Sequence, residues 1–181
     1  MAIQDCSVRT LLIPVHGHYL IVPSVAVAEV IPYQRANFAG KGPPWLLGAI
    51  GWRGLTIPVV SYEAAKGGSA IPPDAESRIA IINTIKGEGS VPFYAMVTAG
   101  IPRLYRVSQE SIKQCEDHAA ETESGDLCRA LIDGDAVVVP DLDALEELIA
   151  RYWPALLLLS PGGRCNHYPD QHCPILAGGV P

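Results

Sequence analysis

Cys165, His167, His172 and Cys173 stand within nine positions of one another near the end of the chain. Cys and His are preferred zinc ligands, so a C-x-H-x4-H-C run carries the donors for one tetrahedral ion. The spacing argues against it. The adjacent His172 and Cys173 are not easily aimed at one ion, and no second half of a zinc ribbon accompanies them. An unstructured tail without metal fits these residues better. Asp133, Asp135, Asp141 and Asp143 suggest calcium, but they lack the loop length and terminal Glu of an EF-hand. A hairpin tip followed by a helix cap accounts for them. His16 and His18 flank Gly17 and read as exposed turn histidines. The chain has no G-x-S-x-G elbow, no G-x-x-x-x-G-K-[ST] loop and no H-E-x-x-H, and Gly87-Glu88-Gly89 is too short to cradle a phosphate. The residues therefore predict no catalysis, cofactor or bound metal.

Arg53 is of a different kind. It stands in Trp45–Ser61, WLLGAIGWRGLTIPVVS, where two apolar runs flank Arg53-Gly54. X-Gly between β-favouring runs reads as a tight hairpin turn, because Gly takes positive φ at no steric cost. The turn places a single cation at a hairpin tip beside Trp52. The five-donor guanidinium fork and a neighbouring indole both suit protein interfaces. A solvated tip and an interface anchor both remain open for Arg53, as do a solvated and an interface acid for Glu29.

Composition sets the frame for these side chains. Of 181 residues, 49% are hydrophobic and 18% charged, which excludes a disordered chain. Gly (17) and Pro (16) recur at turn-like places, favouring many short strands. The net charge is −6 and the 13 Lys and Arg look scattered, which argues against nucleic acid and anionic lipid as partners. The start MAIQDCSVRT lacks the pattern of a signal peptide, so the five Cys read as reduced thiols. The closest approach to a membrane span, WPALLLL at Trp153–Leu159, falls well short of the roughly 18 residues required. A soluble cytoplasmic protein is expected.

After a lead-in at 1–8, Arg9–Val15 and Tyr19–Val22 read as strands around His16-Gly17. Ser24 is expected to cap a turn of helix over Val25–Ala28, ahead of Glu29-Val30-Ile31. Residues 32–44 and 66–76 are loops, the second expected as a subdomain boundary, and Tyr62–Ala65 suits one helical turn. Arg78–Ile85, Phe93–Thr98 and Leu104–Val107 read as strands, with a turn at Lys86–Ser90. Ser108–Gly125 is polar and acidic; mobility is expected there, with a partly helical stretch capped by Ser108. Leu127–Ile132 and Ala136–Val139 pair through Asp133-Gly134. Asp141 caps a helix that turns Leu142, Leu145, Leu148 and Ile149 inward and Glu146 and Glu147 outward, with Pro154 as its stop. Residues 151–181 are expected as a poorly structured tail. LLIPVHGHYLIVP, LGAIGWRGLTIPV and CRALIDGDAVVVP share one pattern of apolar run, X-Gly, apolar run and Pro. Three such hairpins suggest two small β-barrels, which leave no exposed edges.

G-A-I-G-W-R-G-L-T-I-P-V-V-S resembles the G-x-x-x-x-R-G-x-x-x-P-V motif of CheW-like domains, the adaptor modules of bacterial chemosensory arrays. Gly48, Arg53, Gly54, Pro58 and Val59 match it in spacing. Val27-x-Glu29-Val30-Ile31 resembles that family's V-x-E-V/I segment, and Ala130–Leu145 its closing hairpin and helix. The similarity runs in order from Arg9 to Ala150. It departs at Gly51-Trp52, where an Asn-Leu pair is usual, and at Val60-Ser61-Tyr62-Glu63, where I-D-L is usual. These features, with Phe93–Leu104, look more like the auxiliary CheW-like proteins of type IV pilus (twitching) systems. The resemblance implies a mainly β fold of two SH3-like five-stranded barrel subdomains with a short C-terminal helix, over residues 9–150. It implies a non-enzymatic adaptor between the regulatory domain of a histidine kinase and the cytoplasmic tips of chemoreceptors, without cofactor, nucleic acid or membrane insertion. The protein would be cytoplasmic and recruited to receptor arrays. Val27, Glu29, Leu47, Ile50, Trp52, Arg53, Gly54, Ile57 and Val59 would form the partner surface. A metal-binding or small-molecule-binding β-barrel is the alternative.

Overall fold

The repeated X-Gly turns build the architecture. In the computed structural model, which describes residues 7–37, 42–85, 91–114 and 126–159, each of the three joins an antiparallel strand pair. β1 (Val8–Val15) and β2 (His18–Pro23) meet at His16-Gly17, β4 (Leu46–Trp52) and β5 (Leu55–Val60) at Arg53-Gly54, and β10 (Asp126–Ile132) and β11 (Asp135–Pro140) at Asp133-Gly134. The remaining elements are β3 (Val27–Pro32), α1 (Tyr62–Ala65), β6 (Arg78–Asn83), β7 (Phe93–Thr98), β8 (Arg103–Val107), β9 (Ile112–Gln114) and α2 (Leu142–Leu159).

The strands form two sheets, ordered β8-β1-β2-β11-β10-β9 and β3-β6-β7-β5-β4. The fold is mainly β with two subdomains, as expected, although β9 gives one sheet a sixth strand. The first five strands of that sheet repeat the plan of the other. In each, two hairpins are joined by a parallel pairing of their second strands, β2 with β11 and β5 with β7. A further strand flanks each unit, β8 beside β1 and β3 beside β6. The 66–76 loop is not the subdomain boundary expected of it, because it joins β5 and α1 to β6 within one sheet. The chain changes sheet between β2 and β3 and again between β7 and β8. A Gly/Pro-rich composition marks a loop but does not say whether the strands on either side share a sheet.

Each sheet encloses its own apolar cluster. One is built on Ile50, Trp52, Ile57, Val59, Ile79, Ile81 and Ala95, the other on Leu12, Ile21, Ala130, Ile132 and Val137. A larger cluster lies between the sheets, where Ile13, Leu20, Val22 and Val138 of one meet Val60, Ala80, Ile82, Tyr94 and Met96 of the other. Strand side chains alternate faces, so a strand with both faces covered reads as the continuous apolar run seen at Ile79–Ile82.

Helix α2 closes this central core with Leu142, Leu145, Ile149 and Trp153. Asp141 caps it, accepting the Ala144 N–H at 2.9 Å. Glu146 is not outward: it is buried and accepts the Ile85 N–H at 2.7 Å. It follows Leu142 at i+4 and so lies on the same face, where a backbone donor satisfies it. Pro154 does not stop the helix, which continues to Leu159 and carries Trp153, expected in the tail, into the core. Packing of an apolar face supplies most helix stability in proteins and here outweighs the breaker. Ser24 is not a cap either. It lies inside a 3-10 turn, Ser24–Ala26, that follows Pro23 without a side-chain cap. The cap found is Ser61, whose Oγ accepts the Ala64 N–H at 3.3 Å. Ser108 and Ser111 bond each other across a turn, and Ile112–Gln114, expected near a helical stretch, pairs with β10 as a strand. Among the described residues no helix is long and apolar enough to cross a membrane.

Candidate functional site

The β4–β5 turn sets the geometry of the site. Trp52 pairs with Leu55 across two turn residues, Arg53 and Gly54, with φ of 47° and 79°. Two positive φ values define the type I′ turn that matches strand twist. The same turn recurs at Asp133-Gly134, with φ of 52° and 90°. Asp tolerates the left-handed region, whereas Arg there costs roughly 1–2 kcal/mol. Turn geometry alone would select Asn or Asp at position 53, so the reason for Arg lies in its side chain.

That side chain closes the sheet. β3 and β4 are its two edge strands. Glu29 on β3 reaches the hairpin with one carboxylate oxygen, Oε2. It accepts the Trp52 Nε1–H at 3.0 Å and an Arg53 Nη2–H at 3.0 Å. The guanidinium lies over the Trp52 ring, 4.8 Å from its centroid, and the ring meets Phe93 edge-on at 4.9 Å. The other subdomain has the matching device: Tyr105 on its edge strand β8 donates to Asp133 Oδ2 at 2.6 Å. In both, a side chain of the flanking strand holds the left-handed residue of the hairpin tip.

The Glu29–Arg53 pair is accessible, with side chains 39% and 68% exposed. An ion pair in water contributes only about 0–1 kcal/mol to folding. Its cost in turn strain is of similar size, so stability does not explain it.

Of the residues expected on the partner surface, the structure gathers Glu29, Arg53 and Gly54 at an exposed tip. Val27 and Leu47 are half-buried, and Leu47 lines an open groove of about 690 Å³ with Tyr33, Arg35 and Pro72. Ile50, Trp52, Ile57 and Val59 are 8% exposed or less and form the core of the subdomain. They cannot form a partner surface. In β4 the alternation turns Leu46, Gly48, Ile50 and Trp52 inward, and β5 is buried throughout Ile57–Val60. Trp52 contributes only through its indole N–H and the ring face under Arg53. Cys165, His167, His172 and Cys173 lie outside the described residues. Among the described residues no group of three His, Cys, Asp or Glu is placed to hold a metal ion.

Sequence reasoning missed a second polar cluster. Asp126 opens β10 with its side chain fully buried. It accepts a hydrogen bond from the Tyr62 hydroxyl, pairs with Lys66 Nζ at 2.7 Å and meets Arg129 at 3.4 Å. Tyr62 and Lys66 follow β5 of one sheet and Asp126 belongs to the other, so the cluster ties the subdomains together. No spacing motif announces it, since its members lie about sixty positions apart.

His18 stands at the edge of this cluster with a buried Nε2 that meets no hydrogen-bond partner. Burial, then the Lys66 charge, hold its pKa below 6.5, with Arg129 adding to this and Asp126 and Glu63 opposing it. The fold therefore favours neutral His18. Its contribution is complete above pH 6.5 and is lost as pH falls from there toward the lowered folded value. Urea melts of the wild type are expected to weaken over that window, and His18→Gln to flatten the dependence. Equal slopes for the two proteins would refute this.

A family model described as the CheW-like domain matches residues 9–149. Among solved structures, the scaffolding protein TtCheW from Thermoanaerobacter tengcongensis superposes with a TM-score of 0.62 at 15% identity, covering 78% of this chain and 89% of that one. Comparison with curated proteins gives no match.

Proposed function

Because the chain belongs to the CheW-like domain family, a family of non-enzymatic scaffolds, we propose that it is an adaptor of chemosensory signal transduction. It couples the regulatory domain of a histidine kinase to the cytoplasmic tip of a chemoreceptor. The observation that carries this reading is Arg53, held in a left-handed turn by Glu29 and Trp52 while most of its side chain stays in solvent. A cation pre-positioned on a rigid tip loses little side-chain entropy on binding, which is how an interface anchor gains affinity. The departures at Trp52 and at Ser61-Tyr62-Glu63 point to an auxiliary adaptor of a pilus-driven twitching system. In this reading the protein works in the cytoplasm, at receptor arrays.

The test is binding of the purified chain to both partners by calorimetry. The wild type is expected to bind each. Arg53→Asn keeps a residue that suits the turn, so the fold should hold. Affinity for at least one partner should drop about thirtyfold, the roughly 2 kcal/mol of an interface hot spot. A folded wild type that binds neither partner would overturn the adaptor reading. Undiminished binding by Arg53→Asn would reduce Arg53 to a solvated tip.

A further inference from the structure

The outer strand β8 carries a charge arrangement that the fold does not require. Arg106 is the register partner of Arg9 on β1, so two guanidinium stems leave the same face of neighbouring strands. Like charges directly opposite each other weaken a strand pair. Both residues are exposed. Among the described residues Arg106 reaches only Ser7 Oγ, at 3.5 Å, and neither arginine meets a carboxylate. In a chain of net charge −6 this is a local concentration of positive charge. Next on the same face come Leu104 and its register partner Leu11. Leu104 is 63% exposed, while Leu11 packs inward against the central core. The face therefore reads as two cations and then one free apolar side chain.

We propose that Arg9, Arg106 and Leu104 form a second docking surface, which takes a segment of a partner protein carrying carboxylates beside an apolar anchor. The choice of occupant rests on charge complementarity. Two guanidinium groups side by side match a carboxylate cluster, and binding one removes the repulsion between them. Leu104 supplies an apolar contact of the kind that fixes register. This inference rests on the adaptor reading, which also gives the surface a purpose. A coupling protein holds two partners at once, and Arg53 tips a hairpin of one sheet while Arg106 lies in a strand of the other.

The test uses the full chain with the kinase regulatory domain and the receptor tip fragment, each titrated at low and high salt. Arg9→Glu/Arg106→Glu is expected to weaken one partner by about tenfold or more, to flatten the salt dependence of that complex and to leave the other partner unaffected. Leu104→Ser should weaken the same partner, and Arg53→Asn should act mainly on the other. Thermal melts equal to or above the wild type would show that the double variant is folded. Unchanged affinity for both partners would overturn the proposal. So would Arg9→Gln/Arg106→Gln producing only self-association, since the pair would then serve to guard a sheet edge. Wild-type binding to phosphatidylglycerol vesicles, lost in the double variant while both protein affinities hold, would assign the arginines to a lipid surface and overturn it too. Wild-type failure to bind either protein would instead overturn the adaptor reading itself, and this surface with it.

Discussion

Asp126→Ala is expected to destabilise the protein by about 3–5 kcal/mol, the cost of removing one partner of a buried pair. The carboxylate is inaccessible and Lys66 is only 7% exposed, so water cannot take over the lost interaction. The truncation leaves an ammonium and the Tyr62 hydroxyl without the acceptor they share. The pair's net contribution is a separate quantity. Replacing both members by apolar residues of similar volume is often close to neutral, so Asp126→Leu/Lys66→Met should recover most of the loss. Urea unfolding of the two variants, with slopes compared to detect loss of two-state behaviour, measures both. A loss below about 1 kcal/mol for Asp126→Ala would mean that water reaches the site and that the cluster acts as a surface pair.

The same cluster shows what a sequence withholds. The hairpins were legible because their signals are local: β-favouring runs, an X-Gly turn and Pro just beyond. So was the Asp141 cap, whose hydrogen bond spans three residues. The sheet order was not legible. It depends on the parallel pairings of β2 with β11 and β5 with β7, which join strands far apart in the chain. That is why the 66–76 loop looked like a boundary. Asp126 and Lys66 were invisible for the same reason. Glu146 reads as outward because an acid on a helix is usually solvated, although its spacing from Leu142 places it on the buried face.

The candidate site divides along the same line. The motif located Arg53 and Gly54, and the V-x-E-V/I segment matched the already singled-out Glu29, but neither says which side chains of the hairpin face inward. Only register decides that, and it moves Ile50, Trp52, Ile57 and Val59 into the core. The motif is thus largely structural: its apolar positions build a subdomain that presents one cation. The paired closure by Glu29–Arg53 and Tyr105–Asp133 sharpens the point. Two related units use equivalent positions with different chemistry. What differs at the tips, an accessible cation on one and a phenol-bonded acid on the other, is where separate binding roles can arise.

Trp153→Ala is expected to cost about 3–5 kcal/mol, the range for removing a large aromatic side chain from a packed core. Trp153 is 1% exposed and sits where α2 seals the cluster between the sheets. It lies beyond residue 149, where the family match ends. The segment expected as tail thus supplies one of the largest buried side chains in the protein. Its removal leaves a cavity in the central cluster to which both sheets contribute. Trp153→Phe keeps most of the volume and should cost clearly less. Truncation after Tyr152 should destabilise at least as much as Trp153→Ala, because it also removes the last turns of α2. Thermal and urea unfolding of the three variants order these effects. If truncation after Tyr152 left the midpoint unchanged, the helix beyond residue 152 would be dispensable and Trp153 would have no structural role.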